Sequence, residues 1–185
     1  MKSSLIAGLL LPAALITSSV GAEGTADWRK VDEAHIYNGE EMMSPKFIDL
    51  NSALLAKDGY IVFRQILATP TYEMRNGEVF VNNDKRRFDK SWYFNAIHCQ
   101  KQVFLSTRQW PDFEIRAIHY EKEKRRSEST FNLKYLQNIE NLLCKKDVTR
   151  SIPYNAGKIL FLNYIGNNSK KSLTYDEAIM LGIIK

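Results

Sequence analysis

Residues 92–107 place the strongest constraint on what this chain can fold into. The segment is rich in aromatic and β-branched side chains and contains neither Gly nor Pro, a composition typical of a β-strand. Because side chains alternate between the two faces of a strand, Cys99 would share a face with Ile97, Val103 and Leu105. The segment therefore predicts a central strand that carries Cys99 on its buried face.

Cys99 and Cys144 are the two cysteines of the chain. In an exported protein such a pair most simply forms one disulfide bond. Closing a loop of about 45 residues would destabilise the unfolded chain by about 4 kcal/mol. The alternative is two separate reactive thiols, which no Cys-x-x-Cys motif supports. We expect one disulfide that joins a strand to the end of a helix.

Residues 1–22 have the three parts of a secretory signal peptide. Lys2 supplies the positive charge, residues 5–16 form the apolar run, and residues 20–22 are a small-residue cleavage site. The apolar run is shorter than the roughly 20 residues that a membrane span needs, which argues against the alternative of an N-terminal anchor. We expect an exported chain that begins at Glu23 and resides in the periplasm or at the surface of a Gram-negative-type bacterium.

The charge and length of the chain exclude some classes of function. The 185 residues include 26 basic and 21 acidic side chains, a net charge of +5. This mild excess permits attraction to an anionic surface but does not indicate nucleic-acid binding. No apolar run after the signal is long enough to span a membrane. The remaining chain is long enough for one domain with its own core.

Turn residues divide the next part of the chain into short segments with the composition of strands. Asp58-Gly59 and Asn76-Gly77 predict tight hairpin turns, Pro70 predicts a strand end, and residues 82–87 read as a polar, basic loop. Besides the central strand, the predicted strands are residues 28–31, 47–55, 60–67, 71–74, 78–81 and 113–120. Consecutive strands joined by short turns predict an antiparallel meander.

A helix is predicted after the meander, with Ser129 or Thr130 as its cap. Its apolar stripe, at steps of three and four residues, consists of Tyr135, Leu136, Ile139, Leu142 and Leu143. The predicted fold is therefore α+β, an antiparallel meander with a C-terminal helix on one face and one disulfide. Residues 23–147 would form this domain. Residues 148–185 would be an extension, with a strand over residues 158–165 and a short helix over residues 174–181.

Several features over residues 27–145 follow one another in a characteristic order. They are Trp28, Phe-Ile-Asp-Leu-Asn-Ser at residues 47–52, Lys-Asp-Gly at residues 57–59, Cys99, Tyr120 and Cys144. In order and spacing the chain resembles the surface-adhesin protein E family of small exported bacterial proteins. The resemblance implies an antiparallel sheet with a helix on one face and a Cys99–Cys144 disulfide. The chain differs from the family in having no lipoprotein cysteine and in continuing for some forty residues past Cys144.

Two basic clusters form the candidate site for an anionic ligand. If residues 92–107 and 113–121 are antiparallel strands, both clusters lie near one end of the sheet. The clusters are Lys85, Arg86 and Arg87 before the first strand, and Lys124, Arg125 and Arg126 after the second. Such a patch would attract sulfated glycans, lipopolysaccharide phosphates or an acidic protein. The alternative is solvated loop charge offset by neighbouring glutamates.

No catalytic or metal-binding pattern is present in the sequence. His98 and Cys99 are adjacent in the predicted strand and would point to opposite faces, so they do not form a dyad. His35, His98 and His119 lack metal-ligand spacing. No Gly-rich phosphate loop or nucleophile elbow is found. We therefore expect no catalytic residue, no metal and no cofactor.

Three hypotheses for function follow. The preferred one is a non-enzymatic, adhesin-like binding module of the envelope. The second is a periplasmic inhibitor or accessory subunit, whose apolar tail at residues 159–165 and 179–184 meets a protein partner. The third is an enzyme of unrecognised type, which a pocket of convergent polar groups near His98 or His119 would support.

Overall fold

The computed structural model describes residues 26–33, 35–37, 40–42, 44–89, 93–108, 114–120, 122, 133–166 and 172–174. The helices in these ranges are α1 (Leu133–Leu143) and α2 (Ala156–Gly166). The strands are β1 (Trp28–Asp32), β2 (His35–Tyr37), β3 (Glu40–Met42), β4 (Lys46–Ala56), β5 (Ile61–Arg75), β6 (Glu78–Asp89), β7 (Tyr93–His98), β8 (Val103–Arg108), β9 (Glu114–His119), β10 (Ser151–Ile152) and β11 (Ser172–Thr174). The predicted signal peptide, helix cap and residues 175–181 of the predicted last helix lie outside the described residues.

Nine of the described strands form one mainly antiparallel sheet. Its main order is β1-β4-β5-β7-β8-β9, with β6 and β11 attached beside β5 and with β10 parallel to β4. β2 and β3 form a separate hairpin. The predicted antiparallel sheet is confirmed, and the described fold is mostly β with two helices.

The predicted hairpin across Asp58-Gly59 is confirmed by the pairing of β4 with β5, which runs from Lys46 opposite Leu67 to Leu55 opposite Ile61. Gly59 has a φ of 83°, which glycine adopts without steric cost. The Asp58 carboxylate also accepts a hydrogen bond from the backbone N–H of Ala156 at 3.1 Å. A negative charge there stabilises the start of α2, so the turn also positions this helix.

Apolar residues are buried on both faces of the sheet. Neighbouring residues of β5 point to opposite sides, so this strand contributes to both faces. One cluster joins the sheet to α1 and includes Ile48, Phe63, Ile97, Phe104, Tyr135, Leu136, Ile139 and Leu143. Another joins the sheet to α2 and includes Val62, Phe94, Ala96, Ala156, Ile159 and Leu160. The predicted stripe of α1 is confirmed, with Leu142 half-buried at its margin.

The prediction of one long strand over residues 92–107 is wrong. The segment is a hairpin in which β7 and β8 pair, with His98 opposite Val103. Gln102 has a φ of 50°, and the Lys101 backbone N–H donates to His98 Nδ1 at 3.3 Å. A turn without Gly or Pro is thus closed by a side chain. Since the turn shifts the alternation, Leu105 shares a face with Ala96 and not with Ile97.

Two further predictions along β5 and β6 are wrong. β5 continues through Pro70, and residues 82–87 belong to β6. The register of the two strands jumps between Thr69 opposite Arg87 and Thr71 opposite Asn82, so Pro70 lies at a bulge. A proline at a bulge is tolerated because its missing N–H removes no ladder hydrogen bond.

The predicted strand over residues 158–165 is also wrong, because these residues form part of α2. A short, continuously apolar run has no periodicity that separates a strand from a buried helix. Tertiary contacts decide the outcome, since Ile159 and Leu160 are buried against the sheet while Phe161 is 47% exposed. The first half of the apolar tail, proposed above as a partner surface, is therefore partly used within the fold.

The predicted disulfide between Cys99 and Cys144 is confirmed, with the two Cα atoms 5.7 Å apart. Cys99 lies in the β7–β8 turn and Cys144 directly follows α1. The bond therefore ties the end of the helix to a turn of the sheet.

Replacing Cys99 with Ser should lower the free energy of unfolding by about 2–5 kcal/mol. Urea unfolding of the two proteins measures this difference, and thiol titration of the native protein should find no free thiol. Wild-type protein in reductant serves as the matched control and should lose similar stability. Equal stability with and without reductant would contradict the role assigned to the bond.

Candidate functional site

The far parts of β5 and β6 form a two-stranded ribbon, residues 71–82. Within it Thr71 pairs with Asn82 and Arg75 with Glu78. The two residues between the strands have positive φ, 53° at Asn76 and 85° at Gly77, which defines a type I′ turn. Beyond Pro70 the two strands pair only with each other among the described residues. The hairpin predicted at Asn76-Gly77 is confirmed.

One face of the ribbon carries four exposed apolar side chains. Tyr72 lies opposite Val81, and Met74 lies opposite Val79, so all four point to the same side. Their exposed fractions are 52% for Tyr72, 68% for Met74, 60% for Val79 and 37% for Val81. Exposed apolar groups gathered in one patch indicate an interaction surface, whereas scattered ones do not. We call these four residues the apolar face.

The opposite face of the ribbon is mainly polar, apart from the exposed Phe80, and is organised around Glu73. Its carboxylate accepts hydrogen bonds from Arg75 at 2.7 Å and from Asn82 Nδ2 at 3.0 Å. These bonds, with the Asn82 contribution the larger, lower the pKa of Glu73. The Arg75 guanidinium also lies 5.7 Å from the centre of the Phe80 ring. The polar groups of this face are therefore largely satisfied within the ribbon.

The base of the ribbon is a buried part of the sheet. Alternation along β5 places Ile66 and Ala68 on the same side as Tyr72 and Met74, and these two residues are buried with Phe88. The apolar face therefore continues a core cluster outward into solvent.

A buried ion pair braces the same side of the sheet. The Arg64 guanidinium donates to the Asp49 carboxylate and lies 5.9 Å from the centre of the Trp28 ring. The other Asp49 oxygen accepts backbone hydrogen bonds from Asp27 and Asn51, each at 3.0 Å. A buried charge pair with its remaining acceptors satisfied is strongly destabilised by loss of either partner, so we assign it a structural role.

The bulge of β6 holds the first of the two predicted basic clusters. Asn82 Oδ1 accepts from the backbone N–H groups of Asp84 and Lys85 at 3.1 and 3.2 Å, which shapes the bulge. Lys85 is exposed, with its Nζ 3.7 Å from Glu73. Arg86 is half-buried, and its Nε is buried without a hydrogen-bond partner among the described residues.

Arg87 completes the first cluster and is exposed, opposite Thr69 on one side and Thr174 on the other. The second cluster, Lys124, Arg125 and Arg126, lies outside the described residues. Whether the six residues form one patch therefore stays a prediction.

The histidines of β7 and β9 are not neighbours. His98 and His119 each lie opposite Val103, from opposite sides of β8. His98 is buried, its ring 5.0 Å from that of Tyr60, and its Nε2 is 3.1 Å from where a Cβ on Gly59 would stand. Burial, followed by the charge of Lys101, lowers the pKa of His98. Within the described ranges, no three His, Cys, Asp or Glu side chains gather as a metal site requires.

A buried polar cluster lies beneath α1. The Tyr135 hydroxyl and Asn95 Nδ2 both donate to Gln65 Oε1, the latter at 3.0 Å. Lys46 Nζ lies 4.7 Å from the centre of the Tyr135 ring and 2.7 Å from Asp32 Oδ2. Burial raises the pKa of Tyr135 well above its usual range, so its hydroxyl stays protonated and acts as a donor that joins helix to sheet.

Comparisons with known proteins do not relate this chain to a family. No family model, no curated protein and no solved structure matches it. The resemblance to the surface-adhesin protein E family therefore remains an expectation. No helix in the described part of the chain is long and apolar enough to cross a membrane.

The apolar face was not identified as a site from the sequence. The alternation of Tyr72 and Met74 on one strand, and of Val79 and Val81 on the other, was the available signal. Such alternation is equally typical of a half-buried strand. It becomes a surface feature only because the described sheet places no second layer over residues 71–82.

We expect the stability of the protein to fall as the pH drops below the ordinary histidine pKa of 6.5, since the pKa of His98 is lowered in the folded state. The unfolded chain then binds a proton that the native state resists, which favours unfolding. Urea unfolding between pH 7.5 and 5.5 measures this slope, and His98→Gln should reduce it. The variant His119→Gln, at an exposed position, is the control and should keep it. An unchanged slope in His98→Gln would contradict the assignment.

If the six predicted basic residues form one patch, the protein should bind heparin in low salt. Salt screens this attraction, and the Debye length falls to about 3 Å at 1 M salt. Binding should therefore be lost well below that concentration. Reversing Lys85 and Arg125 to Glu, one residue of each cluster, should weaken heparin retention more than reversing Lys134 and Lys145, which are exposed at α1 and just after it. The two double variants change the net charge equally. Equal weakening would mean that overall charge, and not a located patch, binds the matrix.

Proposed function

We propose that this protein is an exported, non-enzymatic binding module of the bacterial envelope, built on an α+β fold with a helix packed on the sheet, and that it contacts another polypeptide through the ribbon. The observation that carries the proposal is the apolar face. Of the seven large apolar side chains exposed in the described residues, four form this face, Phe80 lies on the other face of the ribbon, and Tyr154 and Phe161 lie elsewhere. The predicted signal peptide at residues 1–22 supports export.

A polypeptide fits the ribbon better than a glycan does, because the ribbon offers two complementary features. Among the described residues, no strand pairs with the outer edge of β6 before Arg87. An extended chain can bond to the N–H and C=O groups of such an edge and can place alternate side chains on the neighbouring apolar face. We call this part of β6 the open edge.

The ribbon also bears on the choice between an adhesin-like module and an inhibitor or accessory subunit. If the ligand is a polypeptide, both would use a protein partner, and both agree with a contact surface that extends from a buried part of the sheet. The apolar tail is a weaker candidate for that surface, because Ile159 and Leu160 are buried against the sheet. We retain the adhesin-like module, which the resemblance to the protein E family also favours.

The absence of enzymatic activity belongs to the same proposal. His98 is enclosed by the Gly59 turn and accepts a backbone hydrogen bond from Lys101, an arrangement that fits a structural role. Tyr135 has its hydroxyl bonded to Gln65 in the core. Each of these titratable groups therefore already has a role in holding the fold together.

Photo-crosslinking in the intact envelope tests the proposal. The full-length chain would be expressed in a Gram-negative host with p-benzoylphenylalanine at Met74, which is 68% exposed on the apolar face. We expect a covalent adduct with a defined polypeptide, whereas the same probe at Lys134, exposed on α1, should give none.

Binding of the purified adduct partner would then be measured directly. Met74→Asp should weaken binding at least tenfold, whereas Lys134→Asp should not. Adducts from both positions, or from neither, would contradict the assignment of the ribbon as the contact surface.

A further inference from the structure

We propose that the ribbon pairs with the ribbon of a second copy of this chain, β6 against β6 in antiparallel fashion, with Val79 of each copy opposite Val81 of the other. The inference rests on the proposed function and names the polypeptide that occupies the open edge.

Hairpin geometry decides which backbone groups of β6 point outward. In a two-residue hairpin the pair that flanks the loop is hydrogen-bonded, and bonded pairs then alternate with non-bonded ones. Arg75 flanks the loop opposite Glu78, and Glu73 lies opposite Phe80. The N–H and C=O groups of Glu78 and Phe80 therefore point to β5, and those of Val79 and Val81 point to the open edge.

The bulge leaves these two as the outward residues in the regular part of the open edge. After Asn82 the chain leaves the regular strand, because Asn82 Oδ1 binds the N–H groups of Asp84 and Lys85. Antiparallel pairing of two identical strands is two-fold symmetric. The register with Val79 opposite Val81 pairs all four outward groups of each copy. If Val79 lay opposite itself, Val81 would lie opposite the turn. If Val81 lay opposite itself, Val79 would lie opposite the bulge.

The other edge of the ribbon is less suited to pairing. On β5 the outward positions are Tyr72, Met74 and Pro70, and Pro70 has no N–H to donate. Proline and charged residues are the means by which natural sheets block edge-to-edge association. The stretch from Val79 to Val81 on β6 contains neither.

The side chains agree with the same register. It sets β-branched Val79 beside Val81 on the apolar face and Phe80 beside its own copy on the other, and such cross-strand pairs are favourable. Glu78 of each copy would lie beside Asn82 of the other, next to the bulge that carries Asp84, Lys85 and Arg86. The bulge has one net positive charge, which Glu73 partly offsets through Lys85, and the remainder complements Glu78.

The expected dimer is weak and depends on protein concentration. The ladder is short, because only Val79 and Val81 of each copy contribute outward groups, and we expect the contact to bury less than the roughly 1,200 Å² at which standard interfaces begin. Sedimentation equilibrium of the purified wild-type protein should show association that increases up to millimolar concentration. Val81→Lys, which places a charge at the edge, should shift the association to higher concentration by at least tenfold.

Cysteine crosslinking tests the register. Phe80 would face itself as a non-bonded pair with Cα atoms about 4.5 Å apart, which is within disulfide range. Cys99 and Cys144 are already joined, so Phe80→Cys supplies a single free thiol. Under mild oxidation it should form a covalent dimer at least ten times faster than Val79→Cys. Random collision predicts the reverse order, because Val79 is 60% exposed and Phe80 is 44% exposed.

A mixture of Val79→Cys and Val81→Cys should form a covalent dimer that joins one copy of each variant. This result would support the register independently. Circular dichroism and the intact native disulfide check that each variant is folded. Equal rates for Phe80→Cys and Val79→Cys, or a wild type that stays monomeric at millimolar concentration, would overturn the proposal. If Met74 nevertheless crosslinks to a different protein in the envelope, the proposed function stands and only self-pairing is wrong.

Discussion

The fold depends on the hydrogen bonding of β5, which at 15 residues is the longest described strand. A buried strand must have its backbone groups paired on both sides. β4 provides one side as far as Leu67, while β7 and then β6 provide the other. The need to pair the backbone of β5 on both sides accounts for the order of the sheet, the bulge of β6 and the tolerance of Pro70. Where its described pairing with β4 ends, β5 leaves the core and, still paired with β6, becomes one strand of the ribbon.

The start of β5 is held by several independent interactions. Asp58 binds the first N–H of α2, Gly59 lies against the His98 ring, and Cys99 bonds to Cys144 after α1. The turns of two hairpins and the ends of two helices are thereby fixed relative to one another. The far end of β5 has no such layer over it in the described structure. These contacts thus hold one end of the sheet, and the other end carries the apolar face.

This contrast between the two ends of the sheet favours a binding role, because a contact surface works best on a well-supported scaffold. The Asp49–Arg64 pair, with Trp28 beside it, braces the base of the ribbon. The polar groups around Glu73 are hydrogen-bonded within the ribbon. What is left to interact is the apolar face and the open edge, and a polypeptide can use both at once.

The sequence by itself determined the local features of this protein. Asp58-Gly59 and Asn76-Gly77 specified two hairpins because positive φ is inexpensive at such residues, and the spacing from Tyr135 to Leu143 specified α1. Two cysteines allowed a single intramolecular pairing. Each of these follows from short-range geometry or from counting, so no knowledge of distant residues was needed.

Tertiary structure decided the rest, for reasons that lie between distant parts of the chain or in single side-chain contacts. The turn after His98 depends on its imidazole accepting from Lys101, which no composition rule anticipates. Residues 158–165 are helical because Asp58 and the sheet receive α2, although the run alone is equally compatible with a strand. The apolar face is exposed because no described layer covers the ribbon. Alternation along a strand specifies which side chains share a face, but only the packing of the whole chain determines whether that face is buried.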